Sequence, residues 1–295
     1  MSSDDKYKAG RKKRQARRKT PLSLRMLRLY FQTVGRFLPG IAVNTAYRLW
    51  FQTRRFSEPA RELRWLNGAR QDVVEHAYGP LAVNVWEGGP TVLLVHGWNG
   101  RGSQMGSFAQ PLADRGYRVV AFDLPAHGRS PGNSTDIFKA VETLEAIGDT
   151  YGPIHGVIAH SFGVMVTTLA LREGLEIHRF AAISPPNSLH WLVERFETIL
   201  NIPAPTHHAL VQRIEANYGK DIWDKVALNK IARGLNIPAL IVHDDHDYDV
   251  AWEQGKTLAD AWPGAVFIKT TGLGHRRILR DRAVIHEVVE FIDNN

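Results

Sequence analysis

The chain of 295 residues has no cysteine, which excludes disulfide bonds and suits a reducing compartment. A cytoplasmic location is therefore expected, peripheral on the inner membrane face if the basic arm described below meets lipid. Long apolar runs are missing from the N-terminal region. Within residues 1–58 the longest stretch without charge is the eleven residues 37–47. A bilayer-spanning helix takes about 20, so neither a membrane span nor an ordinary signal peptide is expected there. No internal repeat or low-complexity tract stands out. Acid is scarce in the same region: residues 1–58 hold fifteen Lys and Arg against Asp4, Asp5 and Glu58, a net of +12, which leaves 7 − 12 = −5 for the other 237 residues. The basic character of the chain thus belongs to one arm. Otherwise 44% apolar and 23% charged residues describe an ordinary globular protein with room for a large core.

The arm divides in two. Residues 1–20, with Arg11-Lys12-Lys13-Arg14 and Arg17-Arg18-Lys19, lack apolar periodicity and are expected to form a disordered basic tail. Residues 21–71 are expected to be an amphipathic helical extension. Leu22, Leu24, Met26, Leu27, Leu29 and Phe31 are interleaved with Arg25 and Arg28, and after Pro39-Gly40 a second helical stretch covers 41–51. Such a pair fits an anionic membrane surface, and fits slightly better as helices packed against the remaining domain. No recognition motif accompanies the charge, so no specific nucleic-acid partner is expected.

From residue 72 to 295 the pattern changes to strands alternating with helices. A hairpin over 73–85 turns near Tyr78-Gly79-Pro80, and strands follow at 91–95, 118–122, 154–159, 180–183, 239–242 and 265–269. This predicts an α/β fold with a doubly wound, mostly parallel sheet. Between 187 and 235 the alternation gives way to helical periodicity alone.

The apolar run 157–159 breaks into Ala159-His160-Ser161-Phe162-Gly163 and continues as a helical segment. A serine at a sharp strand-to-helix turn needs small residues two before and two after it, because the two backbones nearly touch. Ala159 and Gly163 meet that need. The turn would expose the Ser161 hydroxyl and point the Phe162 amide at a developing oxyanion. The pentapeptide alone is weak, arising by chance in roughly one chain in five of this length. A serine also needs a base, and the base a third group that fixes its tautomer. Strand 239–242 ends in His243-Asp244-Asp245-His246-Asp247, and strand 265–269 is followed by Thr271-Gly272-Leu273-Gly274-His275. Ligands in open parallel sheets bind outside the carboxyl ends of the strands, so these segments share a rim with Ser161.

On these residues the chain from about Asp72 onward resembles the α/β-hydrolase family. The order Ser, Asp, His fits, as do Val95-His96-Gly97-Trp98, the loop from Asp123-Leu124-Pro125 to Gly128-Arg129-Ser130, His243-x-x-x-Asp247-x-x-Val250 and Gly274-His275. Two positions depart from the pattern: Asp244 replaces the usual glycine, and Ala159 the commoner first glycine of the elbow. The resemblance implies Ser161 as nucleophile, His275 as base and Asp247 as acid, with the Trp98 and Phe162 amides as oxyanion donors. Spacing alone does not separate Asp247 from Asp244, Asp245 or Asp249. It further implies that the 187–235 insertion is a cap, whose Trp191, Phe196 and Trp223 line an apolar pocket or hold the cap helices together.

Other conspicuous residues have plainer readings. His96 is expected to orient its loop, and His127 and His160 to be structural. Five consecutive polar residues on a strand end alternate faces and rarely converge on one ion, so no metal is expected at 243–247. Gly97-x-x-Gly100-x-Gly102 reverses the dinucleotide order. The expected activity is a serine carboxylesterase for small to medium acyl esters, with a small-molecule ester as partner and no cofactor. A membrane-associated lipase or lysophospholipase, a thioesterase, and a non-catalytic ligand-binding member are the alternatives.

Overall fold

The computed structural model describes residues 20–294; the basic tail expected over 1–20 lies, but for Thr20, outside the described residues. Eight strands form one sheet: β1 (Arg70–Val74), β2 (Leu81–Trp86), β3 (Thr91–Val95), β4 (Arg118–Phe122), β5 (Ile154–His160), β6 (Ile177–Ile183), β7 (Ala239–Asp244) and β8 (Val266–Thr270). Their order is β1-β2-β4-β3-β5-β6-β7-β8. The hairpin β1–β2 joins β4 antiparallel, and every pairing from β4 to β8 is parallel. β3 and β7 are buried at every position. For the apolar runs 92–95 and 239–242 that follows from their composition, since a parallel sheet covered on both faces needs no polar side.

Three helices cover one face: α5 (Ile137–Tyr151), α6 (Phe162–Glu173) and α11 (Trp252–Ala261). The other carries a 3-10 segment (Gly102–Phe108), α4 (Ala109–Ala113) and α13 (Arg282–Asp293). Asp136 and Asp281 cap α5 and α13, each accepting two backbone N–H groups of the first turn. Each strand of the parallel part therefore delivers its C-terminal end to one rim.

Four helices interrupt the alternation between β6 and β7: α7 (Leu189–Leu200), α8 (Ala204–Tyr218), α9 (Ile222–Lys225) and α10 (Leu228–Ala232). Two more precede the sheet, α1 (Leu22–Phe37) and α2 (Pro39–Phe51), with the short α3 (Ala60–Trp65) after them. Pro39 opens α2 rather than separating the helices, because its missing N–H costs nothing in a first turn. α1 and α2 rest on the inserted helices: Arg28 Nε donates to the Ile199 carbonyl at 2.8 Å, Gln32 Nε2 to that of Asn201 at 2.6 Å and Thr206 Oγ1 to that of Gly35 at 2.6 Å. A Cβ on Gly35 would stand 3.2 Å from Thr206 Oγ1 and 3.3 Å from Pro203, so glycine permits this close approach. Phe31, Ala42 and Ala46 are fully buried in the same cluster as Leu210 and Ile214 of α8.

Residues 52–65 tie the extension to the sheet rim. Arg55 donates to the carbonyls of Gly128, Ser130 and Gly132, and Thr53 Oγ1 to that of Ala126 at 2.8 Å. Buried Arg101 and Glu62 form an ion pair of 2.6 Å.

Candidate active site

β5 ends at His160 and α6 starts at Phe162, leaving Ser161 alone at the bend with φ 52° and ψ −117°. A non-glycine residue there is strained by about 1–3 kcal/mol and persists only when its surroundings hold it. Here the Ser161 N–H donates to the Ile183 carbonyl at 2.9 Å, and its own carbonyl accepts from Val164 N–H at 3.0 Å. A Cβ on Gly163 would lie 2.5 Å from the Val95 carbonyl oxygen, so the helix can leave the strand at this angle only with glycine. Ala159 is fully buried, its single methyl accommodated.

His275 occupies the short helical turn α12 (Gly274–Arg277) beyond β8. Its Nε2 lies 3.0 Å from Ser161 Oγ and its Nδ1 2.7 Å from Asp247 Oδ2. With Nδ1–H donated to the carboxylate, Nε2 is free to accept the serine proton; the hydrogen-bond network assigns this tautomer. Asp247 Oδ1 accepts from the Asp249 and Val250 amides, each at 2.9 Å. Burial acts to raise the Asp247 carboxyl, but hydrogen bonds from His243 and His275 and from the Val250 amide outweigh it and hold the group well below its ordinary range. His243, fully buried on β7, donates Nε2–H to the Val250 carbonyl at 3.1 Å and stands 3.4 Å from Asp247 Oδ2.

The neighbouring acids are engaged elsewhere. Asp245 accepts from Thr271 Oγ1 at 3.0 Å and contacts His246 Nδ1, away from His275. Asp244 is a clasp: its two oxygens accept from His246 N–H, Thr270 Oγ1, Leu273 N–H and Gly274 N–H at 2.8–2.9 Å. It thereby fixes the segment leading into His275, a role hidden in the sequence except as the departure from the familiar glycine. Asp244, Asp245 and His246 stand close enough to share an ion, yet both Asp244 oxygens are already committed to four donors.

The loop after β3 lies against the elbow; a Cβ on Gly97 would be 3.0 Å from that of Ser161. Among the described residues no protein acceptor engages the Phe162 or Trp98 amide. The Trp98 indole meets the Phe162 ring edge-on at 5.1 Å. His96 accepts from Leu124 N–H at 3.0 Å and donates to the Gly97 carbonyl at 2.8 Å, which fixes the loop. Burial lowers His96 to about 4 and His127 to about 3. His160, lowered well below its ordinary range by burial and then by nearby His275, donates to the His275 carbonyl at 2.8 Å.

A cavity of about 590 Å³ reaches Ser161, Phe162 and Trp98. Its walls come from α7, through Leu192 and Phe196, and from the N-terminal helices, through Leu24, Leu27, Leu49 and Trp50. No feature of the sequence marks the extension as a wall of this cavity. Of the three aromatic residues expected at the pocket, only Phe196 lines it. Trp191 lies off the stripe that carries Leu189, Leu192, Phe196 and Ile199 into the cavity. Trp223 instead donates its indole N–H to Glu215 Oε1 at 2.7 Å and meets His190 edge-on.

Comparisons with known proteins agree with this architecture. An esterase of Pyrococcus furiosus superimposes with a TM-score of 0.63 at 21% identity, over 81% of this chain and 98% of that one. An esterase of Exiguobacterium antarcticum gives 0.57 at 13% identity, over 76% and 100%. An 86-residue stretch is 40% identical to the pimeloyl-(acyl-carrier protein) methyl ester esterase of Methylococcus capsulatus, covering 28% of this chain and 32%, about a third, of that protein. The sequence profile of the alpha/beta hydrolase family matches residues 92–287, the stretch that carries β3 to β8 and Ser161, Asp247 and His275, and the chain belongs to that family.

Proposed function

We propose that the protein is a serine carboxylesterase acting on small to medium acyl esters. The observation that carries this reading is the relay from Ser161 Oγ through His275 to Asp247, at 3.0 and 2.7 Å, set at the end of an apolar cavity. As the Ser161 oxygen attacks the ester carbonyl carbon, its proton passes to His275 Nε2, and Asp247 stabilises the resulting imidazolium. The Phe162 and Trp98 amides receive the negative charge that develops on the carbonyl oxygen. Collapse of the tetrahedral intermediate breaks the carbon–oxygen bond, and His275 returns its proton to the leaving alcohol. Water repeats the sequence on the acyl-enzyme, releasing the acid and restoring the serine; no external oxidant, reductant or cofactor is needed. A cavity of this size suits a substrate with one substantial apolar portion.

Replacing Ser161 by alanine tests the reading. Turnover of p-nitrophenyl esters should fall by a factor on the order of 10⁴ or more, and a fluorophosphonate should label the wild type once per chain and the variant not at all. A folded Ser161→Ala protein keeping more than about a tenth of wild-type turnover would rule out Ser161 as nucleophile.

A further inference from the structure

α1 has two apolar faces. The inner one supplies Leu24 and Leu27 to the cavity and Phe31 to the core. The outer one is open: Leu22, Met26, Leu29 and Phe37 are 57–76% exposed, and Leu38 and Ile41 extend the patch into α2. Leu22, Met26, Leu29, Thr33 and Phe37 repeat at intervals of three and four residues, so these side chains form one stripe along the helix, apolar except for Thr33, whose hydroxyl donates to the Leu29 carbonyl at 2.9 Å, with Arg25 and Arg36 beside it. Among the described residues nothing covers it. Between Asp5 and Glu58 the sequence contains no acid, while six arginines lie between Arg25 and Arg55 and nine Lys and Arg precede Thr20. A second copy of the same face would set like charge against like charge. An anionic bilayer offers what both components lack, an apolar boundary under a layer of negative charge. The stripe also meets the cavity at one point, since Pro21 and Ser23, on either side of Leu22, line it.

We propose that the outer face of α1 and the start of α2 is a docking surface for an anionic lipid bilayer, and that an acyl chain held in that bilayer enters the cavity past the first turn of α1. The stripe enters the headgroup boundary while the arginines beside it remain among the phosphates. The extension then serves as both pocket wall and membrane anchor, and needs no spanning helix; none of the described helices is long and apolar enough to cross a membrane. Docking stands independently of the esterase reading, whereas delivery of substrate from the bilayer rests on it.

The test uses the full chain and vesicles of phosphatidylcholine, alone or mixed with phosphatidylglycerol. The wild type should sediment with the anionic vesicles at low salt and not with phosphatidylcholine alone. Met26→Glu combined with Leu29→Glu should lower the partition coefficient by about ten-fold or more, with hydrolysis of a water-soluble short-chain ester unchanged. Leu29→Ser, which introduces no charge, is the second variant should the double one fail to fold, and should also weaken binding. Arg25→Gln with Arg36→Gln should weaken binding in a salt-sensitive way. A wild type that stays in the supernatant with anionic vesicles, or a folded Met26→Glu/Leu29→Glu protein that binds as well as the wild type, overturns the proposal. So does a lipid-free dimer that the same substitutions dissociate, which would assign the face to a second copy. Vesicle binding is read without substrate, so its failure leaves the esterase reading standing, and an inactive protein that still binds leaves docking standing.

Discussion

Asp247→Asn separates a charge and tautomer effect from a change of shape. The two Asp247 oxygens are not equivalent: Oδ1 accepts from the Asp249 and Val250 amides, whereas Oδ2 faces His275 Nδ1 at 2.7 Å. In the asparagine variant only the carbonyl oxygen can satisfy the two backbone donors, so the amide –NH₂ must take the Oδ2 place. It then donates to Nδ1, which forces the imidazole proton onto Nε2 and turns it toward Ser161. A nitrogen that already carries a proton cannot accept another, and the imidazolium also loses its counter-charge. Turnover should fall by about 10³ to 10⁴, equivalent to about 4–5.5 kcal/mol of transition-state stabilisation at 1.36 kcal/mol per decade. Asp245→Asn should change turnover by less than about three-fold, because Asp245 serves Thr271 and His246 rather than His275. The assay is kcat on a p-nitrophenyl ester, with circular dichroism confirming that both variants fold. A reversed ranking would move the acid to Asp245, and an Asp247→Asn enzyme within about ten-fold of wild type would refute the relay.

Two further outcomes concern stability. Deleting residues 1–19 should leave the melting temperature unchanged. Deletion through Arg55 should lower it by about 5 °C or more and depress hydrolysis of longer acyl esters more than short ones, because it removes Phe31 from the core and Leu24, Leu27 and Trp50 from the cavity wall; an unchanged melting temperature after the longer deletion would refute that packing. Acid should also destabilise the protein before its carboxylates protonate. Burial holds His96 at about 4, His127 at about 3 and His160 well below its ordinary value, whereas unfolded histidines take up protons near ~6.5. The unfolded state therefore binds more protons than the native state below ~6.5, so stability falls as pH drops from there toward ~4, approaching ~1.4 kcal/mol per pH unit for each histidine. Equal urea midpoints at pH 7 and pH 5 would contradict this.

The sheet was legible because its signals are local. Unbroken apolar runs such as 92–95 and 239–242 mark strands covered on both faces, and the return of each parallel strand places every C-terminal end on one rim. The structure brings together Ser161, His275 and Asp247 for the same reason, since each follows one of those ends. Choice among clustered acids was not legible: Asp244, Asp245 and Asp247 lie within four residues yet point in different directions, and only the conformation shows Asp244 turned toward the 273–274 amides and Asp247 toward the imidazole. Of the pocket aromatics, Trp191 and Trp223 lie outside the cavity lining for a related reason, while Phe196 lies in it. Helical periodicity shows that α7 has an apolar face, but not which of Trp191 and Phe196 faces a cavity whose far wall arrives from more than a hundred residues away.

That distant wall also bears on catalysis. The loop carrying Trp98 has a residue in the left-handed region, Asn99 at φ 56°, which neighbouring structure must hold in place. Much of that support comes from the extension: the Arg54 amide donates to Asn99 Oδ1 at 2.6 Å, Arg101 Nη1 donates to the Phe56 carbonyl at 3.2 Å, and Ser103 Oγ lies within 3.2 Å of both Glu58 and Glu62. Arg101 and Glu62 are buried together, so pulling the extension away would strand a guanidinium in the interior, an expensive state that favours keeping the two parts joined. An oxyanion donor must be in place before charge develops, because reorganising it during the reaction would give back most of its benefit. The same segment that supplies the cavity's outer wall therefore also fixes the loop bearing one of the two proposed oxyanion amides. On the proposed esterase reading, binding of the acyl portion and stabilisation of the reacting carbonyl would be coupled through residues 54–62, although none of them belongs to the Ser161–His275–Asp247 relay.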